Sequence, residues 1–141
     1  MFVDASAIVA ILLAEPDADR YIEELQGASG PVFISPLVRY EVIMALARAR
    51  SRKSGQAPVS PEAIAAATAA LGAFLAEIET EELAITPAIG TRAVEAQQRY
   101  GKLVGHPAKL NFGDCFAYGC AKGHGLSLLY KGDDFSRIDL A

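Results

Sequence analysis

The sequence predicts an α/β domain built on a central, mostly parallel sheet of four to five strands with helices on both faces. Short apolar stretches typical of buried strands alternate along the chain with longer stretches of helical periodicity. This alternation favours parallel strands covered by helices on both sides. A length of 141 residues with 52% hydrophobic residues is enough to bury a core, so we expect a single domain over residues 1–141.

The first half of the chain is predicted to hold two strands and three helices. A strand near residues 1–4 is followed by helical patterns over 5–14 and 17–27, and "PVFIS" at 31–35 is the second strand. The helix after it, "PLVRYEVIMALARARSRK", is predicted to end near residue 53, because Arg and Lys collect there and cations favour a helix C-terminus.

The second half begins at a loop, "SGQAPVSPE" at 54–62, which is rich in Gly, Pro and Ser. Its Ser60-Pro61 step predicts a helix with Ser as the N-cap and Pro at the first helical position. The elements after this loop are an Ala-rich helix to about residue 78, a strand at 82–87, a helix ending near Gly101, a helix at 111–125, a strand at 126–130 and a turn in "KGDDFSRID".

Composition and charge narrow the class of protein. No apolar run approaches the roughly 18 residues that span a bilayer, and the first residues lack a signal-peptide pattern, so we expect a cytoplasmic location and no membrane partner. The net charge of -4 argues against nonspecific binding of nucleic acid by the whole chain, although it leaves room for a local basic patch. Cys115 and Cys120 fall roughly 140° apart on a predicted helix, which favours buried free thiols over a metal pair.

Five acidic residues lie close to the ends of the predicted strands or in the helices next to them. They are Asp4 after the first strand, Glu41 in the helix after the second, Asp114 at the start of the helix before the fourth, and Asp133 and Asp134 after the fourth. In a parallel sheet these carboxylates can converge at one edge. Carboxylates brought together need a counter-charge, and hard oxygen ligands without a His or Cys cluster favour Mg²⁺ or Mn²⁺. Such a site suits phosphodiester hydrolysis, so a nuclease is the leading hypothesis.

Each acid also has an ordinary structural explanation. Asp4 can cap the first helix, Asp114 can be a first-turn acid favoured by the helix dipole, and the two acids of "GDDF" can be turn residues. Glu41 is the hardest to explain in this way because "RYEVIMAL" is strongly apolar, although an ion pair with Arg39 or another cation would account for it. The spacing alone leaves the metal site and these explanations open.

Four ordered segments resemble a known family. "VDASAIVAILLAEPDA", "SPLVRYEVIMAL", "HPAKLNFGDCFAYGCAK" and "LLYKGDDFSRIDL" together resemble the PIN-domain ribonucleases of the VapC toxin type, found in type II toxin–antitoxin pairs. The resemblance spans nearly the whole chain and implies a PIN-like fold and an endoribonuclease that hydrolyses RNA with metal-activated water. It also implies dependence on Mg²⁺ or Mn²⁺, a homodimer or a larger toxin–antitoxin assembly, and inhibition by a cognate VapB-like antitoxin.

The resemblance gives roles to the first three acids. Asp4, Glu41 and Asp114 match the family's first, second and third acids, in that order along the chain. The first and third acids of the family are the ones most directly implicated in binding the metal, so the resemblance implies Asp4 and Asp114 as the principal ligands. Glu41 would help to complete the pocket, either through a metal-bound water or at a second ion.

The fourth acid of the family falls in "GDDF", which offers two candidates. The position before Phe135 is the closer match, so Asp134 is favoured over Asp133 as the fourth catalytic acid and metal ligand. Ser6 matches a place where the family has a small hydroxyl residue that can hydrogen-bond near the metal, and a helix-cap role is the alternative.

Positive charge should rim an acidic pocket that receives RNA. The densest basic run is "RARSRK" at 48–53, although a solvated helix end also accounts for it. Lys109, Lys122, Lys131 and Arg137 lie near the later segments and are further candidates for phosphate contacts.

Two other functions remain open. Haloacid-dehalogenase-like phosphatases also place an Asp after the first strand, where it acts as a nucleophile, but they need a second Asp two residues on, and this chain has Ser6 there. The non-enzymatic alternative is a PIN-like binding module that has lost catalysis, and the complete set of acids argues against it.

Overall fold

A four-stranded parallel sheet forms the centre of the computed structural model, which describes residues 1–55 and 58–140. The strands are β1 (Phe2–Val3), β2 (Phe33–Ile34), β3 (Glu81–Glu82) and β4 (Leu128–Leu129). They lie in the order β3-β2-β1-β4, and every neighbouring pair is parallel. The predicted α/β class with a parallel sheet is confirmed.

Six α-helices surround this sheet in the described residues. They are α1 (Ala5–Leu12), α2 (Ala18–Gln26), α3 (Pro36–Lys53), α4 (Pro61–Glu77), α5 (Pro87–Tyr100) and α6 (Phe112–His124), and a 3₁₀ turn at Lys102–Val104 joins α5 to the segment before α6. Among the helices, α1 contacts α2 and α3, α3 contacts α4 and α6, and α5 lies against α6.

Three of the helices begin with the same local chemistry. Before α3, α4 and α5 a hydroxyl residue (Ser35, Ser60 or Thr86) accepts a hydrogen bond from a main-chain N–H three residues on, and a proline occupies the first helical position. The cap satisfies a free N–H, and proline lacks the N–H that would otherwise need a partner. The helix start predicted at Ser60-Pro61 is confirmed, whereas Gln56 and Ala57 of the predicted loop lie outside the described residues.

The third strand differs from the prediction. It covers Glu81–Glu82 rather than 82–87, and the ladder continues only to Leu83, whose N–H donates to the Ile34 carbonyl over 2.8 Å. Thr86 then caps α5, and Pro87 is the first residue of that helix rather than the end of the strand. The strand lies at the edge of the sheet and both its residues are exposed, so no apolar alternation marks it in the sequence.

The core is built around β1. Phe2 and Val3 are fully buried, as expected for a central strand covered on both faces. On one side α6 approaches α5 so closely that a Cβ on Gly119 would lie 3.0 Å from the Ile89 carbonyl oxygen. Cys115 and Cys120 are buried and free, as predicted.

The parallel register brings the carboxyl ends of the strands to one edge of the sheet. Asp4 directly follows β1, Ser35 follows β2, and Lys131 follows β4 after one intervening residue. Among the residues that the structure describes, no helix combines the length and the apolar character that a membrane crossing requires.

Candidate active site

Asp4 lies at the junction of β1 and α1 and is 5% exposed. Its Oδ2 accepts two hydrogen bonds from Ser6, one from the main-chain N–H over 2.9 Å and one from Oγ over 2.5 Å. Burial raises the pKa of Asp4, although these hydrogen bonds stabilise the charged form and partly oppose the shift. Asp4 therefore is the N-cap of α1 and also a buried carboxylate at the carboxyl end of the central strand.

Asp114 is the third residue of α6 and forms a capping box with Asn111. Asn111 Oδ1 accepts a hydrogen bond from the Asp114 N–H over 3.1 Å, and Asp114 Oδ2 accepts one from the Asn111 N–H over 2.7 Å. Burial raises the pKa of Asp114 to about 6, and the charges of Asp4 and Asp134 contribute to the shift. Asp114 is thus a first-turn acid of α6, and this position also places its buried carboxylate near Asp4.

Glu41 reaches the same place from the second turn of α3. A Cβ built on Gly113 would lie 2.1 Å from Glu41 Oε1, so the carboxylate fills the space that this glycine leaves on α6. Burial raises the pKa of Glu41 to about 7, with further contributions from the charges of Asp4 and Asp114. Three carboxylates from three different helices therefore interact electrostatically at one edge of the sheet.

An ion pair does not explain Glu41. Arg39 donates instead to Glu82 Oε2, from Nε over 2.7 Å and from Nη2 over 2.5 Å. Within residues 1–55 and 58–140, no Lys, Arg or His nitrogen lies within 4.0 Å of the Glu41 carboxylate. The negative charge of this acid therefore has no cationic partner in the described chain.

The two acids of "GDDF" differ in their surroundings, although both are exposed. The charge of Asp134 raises the pKa of Asp4 and of Asp114, so this carboxylate faces the other acids. Asp133 makes no such contribution to Asp114, and its carbonyl accepts hydrogen bonds from the N–H and Oγ of Ser136. The structure thus brings Asp134 near Asp4 and Asp114 and leaves Asp133 in the turn.

These acids present a donor set that suits a hard divalent cation. No three or more His, Cys, Asp and Glu side chains of the described chain form a group that could hold a metal ion by themselves. Mg²⁺ does not need such a cage, because it is usually bound by one or two carboxylates together with waters and substrate phosphates. Asp4 and Asp114 are two such carboxylates, and a cation would offset the burial and the like charge that raise their pKa values. The neighbouring Cys115 does not offer a thiolate, since burial raises its pKa to about 11.

The candidate phosphate-binding cations fall into two groups. Lys131 and Lys122 are already held by carboxylates, Lys131 by Glu15 and Asp17, and Lys122 by Asp139. Lys109 and Arg137 are exposed, and neither has a carboxylate within 4.0 Å in the part of the chain that the structure describes. The two paired lysines are therefore poor candidates for phosphate contacts.

The basic run at the end of α3 is distant from the acids. Lys53 is twelve residues beyond Glu41 on the same helix, or about 18 Å along its axis. Arg48, Arg50 and Arg52 are exposed, which agrees with a solvated helix end.

Two features of the site were not predicted from the sequence. Gly113 gives Glu41 its space, and the signal for it is a glycine placed directly before an acid in the first turn of a helix, where glycine is otherwise unfavourable. Ser6 links the first acid to the last loop, because its Oγ also accepts a hydrogen bond from the Lys131 N–H over 3.0 Å. No local sequence pattern predicts a contact between residues so far apart in the chain.

Comparisons with known proteins identify the family to which this fold belongs. The family model for the PIN domain matches residues 1–140. A VapC ribonuclease of Rhizobium meliloti (strain 1021) is 45% identical over 139 residues, which cover 99% of this chain and 98% of that relative. The chain belongs to the PIN-domain family, in its VapC group. The resemblance seen in the four sequence segments is confirmed.

Two solved structures share the fold of this PIN domain. VapC20 of Mycobacterium tuberculosis, described as a toxin that cleaves the sarcin-ricin loop, matches with a TM-score of 0.68 at 20% identity, over 96% of this chain and 92% of that chain. A toxin–antitoxin complex from Klebsiella pneumoniae matches with a TM-score of 0.64 at 18% identity, over 99% of this chain and 92% of that chain. At these identities the likeness shows the fold.

Substitution of Gly113 tests the space that Glu41 occupies. In Gly113→Ala the new methyl group would coincide with Oε1 of a flexible side chain, so we expect the carboxylate to move while the fold remains stable to within about 1 kcal/mol. The pKa of Glu41, read by carbon NMR of its carboxyl group in EDTA, should fall from about 7 toward its ordinary value of 4.5. Gly72→Ala on α4, where a Cβ meets nothing within 4 Å, is the control, and an equal pKa in all three proteins would contradict the contact.

The raised pKa values also predict how stability depends on pH. The folded chain keeps protons on Asp114 and Glu41 at pH values where the unfolded chain has released them, so their contribution to stability is present at low pH. It is lost as the pH rises from about 4 to about 7. Between pH 5 and 7.5, in EDTA, the melting temperature of the wild type should therefore fall relative to that of a Glu41→Gln, Asp114→Asn double variant. Parallel melting curves for the two proteins across this range would show that neither burial nor the neighbouring charges raise the pKa values of Glu41 and Asp114.

Proposed function

We propose that this chain is a metal-dependent endoribonuclease that hydrolyses RNA phosphodiester bonds and acts as the toxin of a toxin–antitoxin pair. The convergence of Asp4, Glu41, Asp114 and Asp134 at the carboxyl edge of the sheet carries the proposal. The VapC ribonuclease that is 45% identical over 99% of the chain supports the activity, and the family match to residues 1–140 supports one nuclease domain over 1–141.

The residues have distinct roles in this proposal. Asp4 and Asp114 would hold Mg²⁺ or Mn²⁺, with Asp134 near them in the loop after β4. When bound, the cation supplies activation of the attacking water and neutralisation of charge on the phosphate. Glu41, half-buried beside the other acids, is in a position to accept a proton from that water. Ser6 fixes the orientation of the Asp4 carboxylate through its two hydrogen bonds.

RNA would approach this edge past the cations that are not already paired. Lys109 lies just before the capping box of Asp114, and Arg137 lies just after the loop that carries Asp134. We assign phosphate contacts to these two residues, because such contacts position a nucleic acid without reading its sequence. The protein works in the cytoplasm, where RNA and a co-expressed partner are both available.

The partner in this proposal is a VapB-like antitoxin that blocks the nuclease. The structural likeness to the toxin–antitoxin complex from Klebsiella pneumoniae supports it, as does the name of the Rhizobium meliloti relative.

A second copy of the chain is the other proposed partner, at the α5–α6 groove. This groove has a volume of about 600 Å³ and is lined by Val94, Phe112 and other apolar residues of α5, the 3₁₀ turn and α6. Two of the lining side chains are largely exposed, Leu103 to 87% and Phe112 to 65%. A two-fold contact would bury this apolar surface against the same surface of a second copy. The sparse charge of the lining also fits a protein interface better than a phosphate-binding surface.

The alternative functions have less support. A phosphatase that used Asp4 as a nucleophile would need a second acid at residue 6, and Ser6 there holds the Asp4 carboxylate by two hydrogen bonds. A binding module without activity would have no reason to retain carboxylates like Glu41 and Asp114 at one edge, since their raised pKa values lower stability as the pH approaches neutrality.

The catalytic role of the acids can be tested with Asn variants, for which Asp133 and Asp134 of the same turn provide a matched pair. We expect Asp4→Asn, Asp114→Asn and Asp134→Asn each to lower the rate of RNA cleavage, by roughly 100-fold for the first two, whereas Asp133→Asn should keep nearly full activity. Cleavage of a labelled RNA by purified protein, with Mg²⁺ and with EDTA, measures this. Full activity in EDTA or in the Asp4→Asn, Asp114→Asn double variant would contradict the metal mechanism. Equal losses in Asp133→Asn and Asp134→Asn would contradict the assignment of Asp134 as the fourth acid.

The second-copy interface predicts a change of mass. The wild type should be a dimer by light scattering coupled to size exclusion, and Leu103→Glu combined with Val94→Glu should be a folded monomer, because two charges would have to be buried at the contact. Ile85→Glu, at an exposed apolar side chain outside the groove, is the control. A monomeric wild type at 100 μM (roughly the upper range for a specific dimer), or a double variant that remains dimeric, would contradict the interface.

A further inference from the structure

Lys131 is fixed at its main chain beside the first acid. Its N–H donates to Ser6 Oγ over 3.0 Å, and the same Oγ donates to Asp4 Oδ2 over 2.5 Å. The chain leaves β4 just before this point, and the N–H of Asp4 donates to the Leu129 carbonyl over 2.9 Å. The start of the loop that carries the fourth acid is therefore tied directly to the first acid.

The side chain of Lys131 is fixed at the turn between α1 and α2. Nζ donates to Glu15 Oε2 over 2.5 Å and to Asp17 Oδ1 over 2.6 Å. The turn itself is well defined, because Ala14 adopts a left-handed conformation with φ of 51° and Asp17 Oδ2 accepts a hydrogen bond from the Tyr21 hydroxyl over 3.0 Å. Lys131, Glu15 and Asp17 form what we call the Lys131 clamp.

The loop after Lys131 is short and is also held at its far end. Gly132 has φ of 95°, a conformation that favours glycine, and Asp133 and Asp134 follow. Phe135 is 5% exposed and packs edge-to-face on Tyr130, with ring centroids 5.0 Å apart. Asp134 thus lies between two anchors, the clamp before it and the buried ring after it.

We propose that Lys131 is a positioning residue, which fixes the loop after β4 so that Asp134 faces Asp4 and Asp114. This inference rests on the proposed function, because the geometry matters to a cation and an RNA substrate that both meet these acids. It also reverses the role expected from the sequence, since a lysine whose charge is shared between two carboxylates is a poor phosphate ligand.

The Lys131 clamp should matter more for the geometry of the site than for the stability of the fold. All three side chains of the clamp are about a third exposed, and ion pairs with that exposure contribute little to the free energy of folding. A displacement of about 1 Å at a catalytic group can nevertheless cost roughly 100-fold in rate. Loss of the clamp should therefore change the site much more than it changes the melting temperature.

The test compares Lys131→Met with Lys122→Met. Lys122 is the matched control, because it is a lysine of similar exposure that is paired with Asp139. In Lys131→Met we expect lower heteronuclear NOE values at residues 131–134, Mn²⁺ affinity reduced about fivefold or more, and kcat for RNA cleavage reduced about tenfold with KM nearly unchanged. Lys122→Met should match the wild type in all three measurements, and Lys131→Arg should restore most of the loss.

The outcomes are distinguishable. Wild-type NOE values and Mn²⁺ affinity in Lys131→Met would overturn the clamp, and so would a loss confined to KM with an ordered loop, since that result assigns Lys131 to phosphate binding. If the wild type itself neither binds Mn²⁺ nor cleaves RNA, the proposed function fails, and the NOE values still decide whether Lys131 orders the loop.

Discussion

The rest of the site depends on the repulsion among Asp4, Glu41 and Asp114 at the carboxyl edge of the sheet. The fold withdraws all three from water, which raises the pKa of each. The charges of Asp4 and Asp114 also raise the pKa of Glu41, and the charge of Asp4 raises that of Asp114. An arrangement of this kind is unfavourable by itself at neutral pH, because desolvation and like charge both disfavour the ionised forms. Its persistence in a folded chain requires surrounding groups that hold the carboxylates in place, and an exchangeable cation is the simplest means of neutralising them.

The groups that hold these carboxylates in place are at the N-termini of helices and are not cationic side chains. Asp4 is the N-cap of α1 and accepts the N–H of Ser6, and Asp114 is in the first turn of α6 and accepts the N–H of Asn111. Both therefore lie where the helix dipole and free N–H groups favour negative charge. Glu41, in the second turn of α3, has no such hydrogen bond within the described part of the chain, and its pKa of about 7 is higher than the value of about 6 at Asp114.

The sequence was sufficient to predict local features, but it was insufficient to predict contacts between residues that are distant in the chain. The buried strand at Phe2–Val3 and the capped start at Ser60 are marked by apolar residues and cap chemistry within a few positions. The edge strand at Glu81–Glu82 was predicted too late, because its own residues are acidic and exposed while the apolar "LAI" that follows is outside it. The acids of the site could be named from ordered segments, but the fit of Glu41 to Gly113 and of Lys131 to Glu15 is a tertiary contact that no periodicity encodes.

The distribution of cations around the acids is consistent with the metal site that we propose. The lysine closest along the chain to the fourth acid, Lys131, is neutralised by two carboxylates of the α1–α2 turn, and Arg39, two residues before Glu41, is paired with Glu82. Had either cation been directed at the acids instead, it would have lowered their pKa values and occupied the place of a divalent ion. The fold pairs these two charges elsewhere, so within residues 1–55 and 58–140 no Lys, Arg or His nitrogen lies within 4.0 Å of the carboxylates of Asp4, Glu41 or Asp114. The divalent cation that we propose would then be the group that neutralises them.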